Sequence, residues 1–393
     1  MTNSIIYCWE FGAGLGHVSK LTSMAQKFAH FGKKAILVNP QGIRFKDQKI
    51  FDEIIEFPNP NQLATTSRPL GQSITSYNAA IQGFGYSDPK FIFTGIKLWQ
   101  KLFEVETPSI IIGDYAPTAM LTARAMGIPT VAFGNGYTLP PTNIEQYPRF
   151  VDQVDPVNPE ILLANVNQAL DLCGFSKLSY LPEIFASDIH ACFTHSELDP
   201  FKKIRNPIAL GPFFANAPPK ANPNRPNRAF MYLTNCTKSV HQTMLGAAAR
   251  LQTPVDIYSL QATPEDEKLL SGSNANLLDG PLSLQTICEN YRFVAHLGGH
   301  GLTCEMLYAG MPQMLFPIDI EKILFSQAMA NNGWAGQLRI DNGKSVEAVA
   351  KKFNEVLADD DIPRKLADFT ESLRANQWRE GLDSFESQIA SLL

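Results

Sequence analysis

A chain of 393 residues with 45% hydrophobic and 18% charged side chains has room for two or three domains with sizeable cores, and the balance of an ordinary globular protein. A formal net charge of −5 without a basic cluster argues against a nucleic-acid partner. The six cysteines (Cys8, Cys173, Cys192, Cys236, Cys288, Cys304) are scattered without C-x-x-C pairs, which excludes zinc spacing and fits small buried thiols in a reducing compartment.

The opening residues, MTNSIIYCWEFG, carry neither a basic start nor a long apolar core, and no apolar run approaches the length of a membrane span. The expectation is a cytoplasmic protein without stable membrane insertion. Residues 5–9 read as a buried strand, followed by glycines at 12, 14 and 16, His17, and then Val18, Leu21, Ala25 and Phe28 at helical spacing. Gly32 closes that helix and 35–38 is the next strand. A β–turn–α–β opening favours a parallel sheet with crossover helices. The second strand ends in Asn39-Pro40 rather than an acid, which disfavours a dinucleotide site.

Residues 58–100 alternate turn formers with aromatics and read as loops and short helices. They are either irregular packing or an apolar-walled acceptor pocket. Residues 109–114, SIIIGD, form an apolar strand ending in Asp114. Pro117 opens the helix after it, Gly127 ends that helix, and 128–133 is a further strand before Gly134-Asn135-Gly136. Residues 155–182 are helical and irregular, and 189–194 is a strand. The Pro- and Asn-rich stretch 215–228 reads as a linker. Beyond it the rhythm restarts: strand 229–233, helix 240–250, strand 255–260. The domain expectation is therefore 1–214, linker 215–228, a second domain 229–375, and a C-terminal helix 376–393 able to pack back on the first.

Three features fall at carboxyl ends of strands, where open α/β sheets bind ligands: His17, Asp114 and the turn 297–305. An imidazole can take a proton from a hydroxyl while a carboxylate on its other nitrogen fixes the tautomer. Singly, His17 reads equally well as a helix-start residue and Asp114 as an N-cap before Pro117. In FVAHLGGHGLTCEMLYAGMPQMLFPIDIEK (293–322), Gly298, Gly299 and Gly301 lead from a strand into a helix. Backbone N–H groups and the positive end of a helix dipole then meet at one point, a site for phosphate or simply a tight turn.

Three blocks carry a resemblance. The opening G-x-G-H-V with its helix, the block GDYAPTAMLTARAMGIP, and GGHGLTCEMLYAGMPQMLFP together resemble the GT-B fold glycosyltransferases of family 1, the UDP-glycosyltransferase-like group with its bacterial natural-product members. The resemblance covers nearly the whole chain. It implies an α/β fold of two Rossmann-like parallel-sheet domains facing across a cleft. It also implies an inverting, metal-independent hexosyltransferase. The donor would be a UDP- or dTDP-sugar acting as co-substrate, with no other cofactor, and the acceptor a hydroxyl on an apolar or aromatic small molecule.

On this resemblance His17 is the general base and Asp114 its partner. Gly298, Gly299, His300 and Gly301 hold the diphosphate, with Glu305, Pro281, Leu282, Gly14 and Gly16 on the donor side. Tyr86, Asn135 and Tyr137 are expected at the acceptor. The chain departs from the pattern where an Asp-Gln pair would read the sugar: Glu321 and Lys322 stand there. Leu297 replaces the usual phosphate-contacting histidine, and His296, one place early on a strand, points to the opposite face. An epimerase of the same fold and a non-catalytic donor-binding helper are the alternative functions.

Overall fold

The structure, a computed structural model, describes residues 4–12, 15–39, 48–58, 74–152, 155–234, 236–340, 345–373 and 377–393. The chain forms two compact units, the first comprising Met1–Phe213 and Glu380–Leu393, the second Phe214–Arg379.

In unit 1, β1 (Ser4–Cys8), α1 (Leu15–Phe28), β2 (Lys34–Asn39) and β3 (Glu53–Glu56) are followed by the short helix α2 (Tyr77–Ile81) and by α3 (Pro89–Glu106). Then come β4 (Pro108–Asp114), α4 (Pro117–Ala125), β5 (Thr130–Gly134), α5 (Pro159–Leu172) and β6 (Ile189–Cys192). All strand pairs are parallel, in the order β3-β2-β1-β4-β5-β6. Strand alternation divides β1 between two cores. Ile5 and Tyr7, with Trp9 beyond the strand's end, pack against Val18, Leu21 and Met24 of α1. Ile6 and Cys8 face Trp99, Phe103 and Met120. Leu382, Phe385 and Ile389 of the last helix complete the first of these cores.

The 18-residue helix α3 corrects the expectation of short helices through residue 100. Pro89 breaks nothing there. It occupies the helix's first turn behind the N-cap Asp88, whose carboxylate accepts from Lys90 N.

Unit 2 repeats the plan: β7 (Ala229–Leu233), α6 (Lys238–Ala248), β8 (Val255–Ser259), α7 (Pro264–Leu270), β9 (Ala275–Leu277), α8 (Leu284–Asn290) and β10 (Phe293–His296). It continues with α9 (His300–Tyr308), β11 (Gln313–Leu315), α10 (Ile320–Asn331), β12 (Ala335–Gln337), α11 (Val346–Leu357) and α12 (Asp361–Ser372). Helix α13 (Gln377–Leu392) follows, and from Glu380 it belongs to unit 1. The parallel order β12-β11-β10-β7-β8-β9 is that of the first sheet. In each sheet the order reverses between two neighbouring strands, β1 and β4 in one and β7 and β10 in the other. Their carboxyl ends are where such sheets take ligands. Among the described residues no helix is long and apolar enough to cross a membrane.

Candidate functional site: a strand-end dyad and a glycine-led helix

At the reversal point of unit 1, register sets Cys8 beside Gly113, so the chain leaves β1 next to Asp114. Tyr115 adopts a left-handed backbone (φ 58), and its carbonyl accepts from Glu10 N and Phe11 N, tying the two strand ends together. The His17 ring lies above this junction. Its Nδ1 is 2.9 Å from Asp114 Oδ2, and Lys20 Nζ donates to the same oxygen at 3.1 Å. Trp9 stacks on the imidazole with centroids 5.7 Å apart, and Gly12 (φ 90) leaves room for the ring edge carrying Nε2.

Asp114 is fully buried. Burial pushes its carboxyl up, but the positive charges of Lys20 and then His17 outweigh that and hold it below the ordinary aspartate value. An ionised Asp114 accepts the His17 Nδ1 proton, which leaves Nε2 with its lone pair for an incoming hydroxyl. Sequence reasoning placed His17 and Asp114 together but missed Lys20. Its signal was available, since residues three apart on a helix share a face.

In unit 2 the turn after β10 is held from beneath. Burial pushes His296 down to about 4, so it is neutral. Its Nε2 pairs with Gln313 Oε1 at 2.9 Å, while Nδ1 accepts from Gly298 N at 3.1 Å. Gly298 (φ 79) therefore spends its amide on the turn, which corrects its expected part in a diphosphate cradle. A Cβ there would also lie 2.6 Å from Ser326 Oγ. Gly299 is the N-cap of α9, no side chain caps that helix, and its first turn carries no acid.

His300 and Gly301 open the helix. The His300 ring lies 4.7 Å from that of Phe325, and its Nε2 is 3.5 Å from Cys304 Sγ. One turn on, burial pushes Glu305 up to about 7. Glu321 and Lys322 stand in the first turn of α10, where Lys322 is ion-paired with the N-cap Asp319. The Lys322 charge also reaches Cys236, just beyond β7, where it opposes the rise that burial imposes on the thiol. Leu282 packs with Phe230 and Met306 beside α9, and Pro281 is exposed.

The remaining expected residues are placed differently. Gly16 is exposed in the first turn of α1, with nothing within 4 Å of an added Cβ, and Gly14 lies outside the described residues. Tyr86 is buried with its hydroxyl 2.9 Å from Thr118 Oγ1. Asn135 is buried and accepts from Tyr137 N and Thr138 N, and Tyr137 packs on Tyr77. All three are buried within unit 1. Among the described residues no group of three or more His, Cys, Asp or Glu side chains is placed to hold a metal ion.

No family model and no curated protein sequence matches the chain. Solved structures do. CalG4, the calicheamicin glycosyltransferase, aligns at TM-score 0.67 and 13% identity over 100% of this chain and 98% of its own. The glycotransferase of kitacinnamycin aligns at 0.66 and 14%, covering 99% of each chain. Glycosyltransferase VinC, solved with dTDP, aligns at 0.64 and 13%, over 99% and 98%. At such identity the likeness is one of fold, and from end to end the fold of this chain is GT-B.

Proposed function

We propose that the protein is an inverting glycosyltransferase. It would move a sugar from a nucleoside diphosphate donor, UDP- or dTDP-linked, to a hydroxyl of a small apolar or aromatic acceptor. The observation that carries this reading is the buried Asp114 carboxylate on His17 Nδ1. It makes Nε2 a proton acceptor on the unit that the resemblance assigns to the acceptor.

His17 takes the acceptor proton as the acceptor oxygen bonds to the anomeric carbon. The carbon–oxygen bond to the diphosphate breaks on the opposite face, its electron pair leaving with the phosphate oxygen, so the configuration inverts. The charge gathering on the diphosphate is met by the N-terminus of α9, which neither a side chain nor an acid occupies. Lys322, paired with Asp319, and Glu321 contact the transferred sugar. That VinC was solved with dTDP on the same fold supports a nucleoside diphosphate donor.

The test is turnover of a panel of UDP- and dTDP-sugars with phenolic and aliphatic alcohol acceptors, read by mass spectrometry. His17→Ala is expected to lower kcat/KM by about 10²–10⁴-fold. Wild-type turnover by that variant would sink the base assignment.

A further inference from the structure

We infer that Lys20 is a positioning residue for the dyad: its ammonium shares the Asp114 oxygen that His17 uses, and so sets how much negative charge that carboxylate presents to the imidazole. The inference deepens the reading of His17 as the base, but charge sharing is a property of unit 1 alone and can be measured without a substrate.

Lys20 lies three residues after His17 on α1, so both side chains descend from one face toward the end of β4. Both nitrogens converge on Oδ2, at 2.9 and 3.1 Å. The other oxygen, Oδ1, is equally buried and has no hydrogen-bond partner among the described residues. A lysine serving only to satisfy the carboxylate would take that open oxygen. This one competes with the imidazole instead. Lys20 keeps 22% of its side chain exposed while Asp114 has none, so a surface charge is brought onto a buried acid. Among the effects that hold Asp114 ionised, the charge of Lys20 ranks first.

The chemical consequence follows from the sign. An unshared carboxylate would favour the imidazolium and leave less free base near neutral pH. Sharing it with an ammonium weakens the negative charge that the imidazole meets. The other groups around the pair do not substitute for Lys20. Cys8 of β1 is a buried thiol pushed up by burial and by the Glu10 and Asp114 charges. Glu10 turns to the opposite layer, where Trp99 and Thr118 hold it. β5 presents Phe133 beside Asp114, Trp9 and Tyr115 offer only rings to His17, and Lys27 farther along α1 pairs with Glu386 of α13.

The measurement is an NMR pH titration of the His17 ring C–H signal in the full chain, assigned by its loss in His17→Gln. In Lys20→Met and Lys20→Gln the midpoint is expected to rise by about one pH unit, while Lys20→Arg restores it. In an Asp114→Asn background the same lysine substitutions are expected to move it far less, because the shared oxygen's charge is gone. A purely structural lysine would lower stability without shifting the midpoint. An unchanged midpoint in both Lys20→Met and Lys20→Gln overturns the inference. The wild-type turnover panel is a separate arm: failure to use any UDP- or dTDP-sugar would end the transfer reading and leave the titration result standing.

Discussion

Gly12 is placed for the sake of the imidazole five residues on. Its backbone lies in the left-handed region (φ 90), and an added Cβ would stand 2.5 Å from His17 Nε2. Alanine at this position meets both penalties, a strained backbone of about 1–3 kcal/mol and a collision with His17 Nε2. Gly12→Ala is therefore expected to lower the urea midpoint. It should also reduce turnover by about 10²-fold, because a displacement near 1 Å is enough to spoil alignment. A variant that lost stability but kept wild-type turnover would show that Nε2 is not the proton acceptor. At this scale the sequence was legible where chemistry and position coincide: Asp114 ends β4, His17 opens α1 just after β1, and the structure joins them. Lys20 was legible only in part: its spacing puts it on the helix face of His17, but a lysine on an amphipathic helix reads as solvated until the carboxylate beneath it is known. Tyr86, Asn135 and Tyr137 show the converse limit. An aromatic or an amide looks the same in sequence whether it faces a ligand or the interior, and here all three are buried.

Helix starts separate structure from function at the next scale. Asp88, Asn158, Thr237, Asp319 and Ser345 each cap their own helix, and Glu10 reaches across to the start of α4 through Thr118 N. Helix α9 begins with a glycine instead. Gly299 has φ −61 and ψ 131, which any residue can adopt, and nothing lies within 4 Å of an added Cβ, so neither strain nor space requires a glycine there. An aspartate at that N-cap should stabilise the helix by a few tenths of a kcal/mol. It would also set a carboxylate against any bound diphosphate. Gly299→Asp is accordingly expected to raise the melting temperature of the unliganded protein while weakening UDP or dTDP binding by about tenfold or more, read as a smaller ligand-induced melting shift. Undiminished nucleotide binding in the stabilised variant would move the anion elsewhere. The glycine-to-helix boundary was readable in sequence because the apolar periodicity starts abruptly after it. The three-residue strand β12, Ala335–Gln337, was not, since three residues carry no period and its partner β11 alone supplies the register.

Over the whole molecule, the repeated strand order was legible only as two α/β halves, because order depends on pairings that no local pattern encodes. The halves share a further property that no local pattern shows. Each unit holds one glutamate pushed up to about 7 and one histidine pushed down to about 4: Glu10 and His190 in unit 1, Glu305 and His296 in unit 2. Burial is the leading cause in all four. As pH falls from about 6.5 toward 4, the unfolded chain protonates each histidine before the folded one does, so folding loses stability. As pH falls from about 7 toward 4.5, the folded chain protonates each glutamate first, so folding gains. At roughly 1.4 kcal/mol per pH unit, each shift is worth about 3 kcal/mol, and within each unit the two oppose one another. His195 in unit 1 and His241 in unit 2, also held down by burial, add to the loss, so wild-type stability is expected to fall slightly as the pH drops from 7 to 4.5. Glu10→Gln removes the gain from unit 1 alone while keeping an amide oxygen for Thr118 N. Calorimetry of that variant should show the unit 1 transition losing about 3 kcal/mol over this range while the unit 2 transition keeps its wild-type profile. A unit 1 transition that stayed level would mean Glu10 does not hold its proton in the folded state.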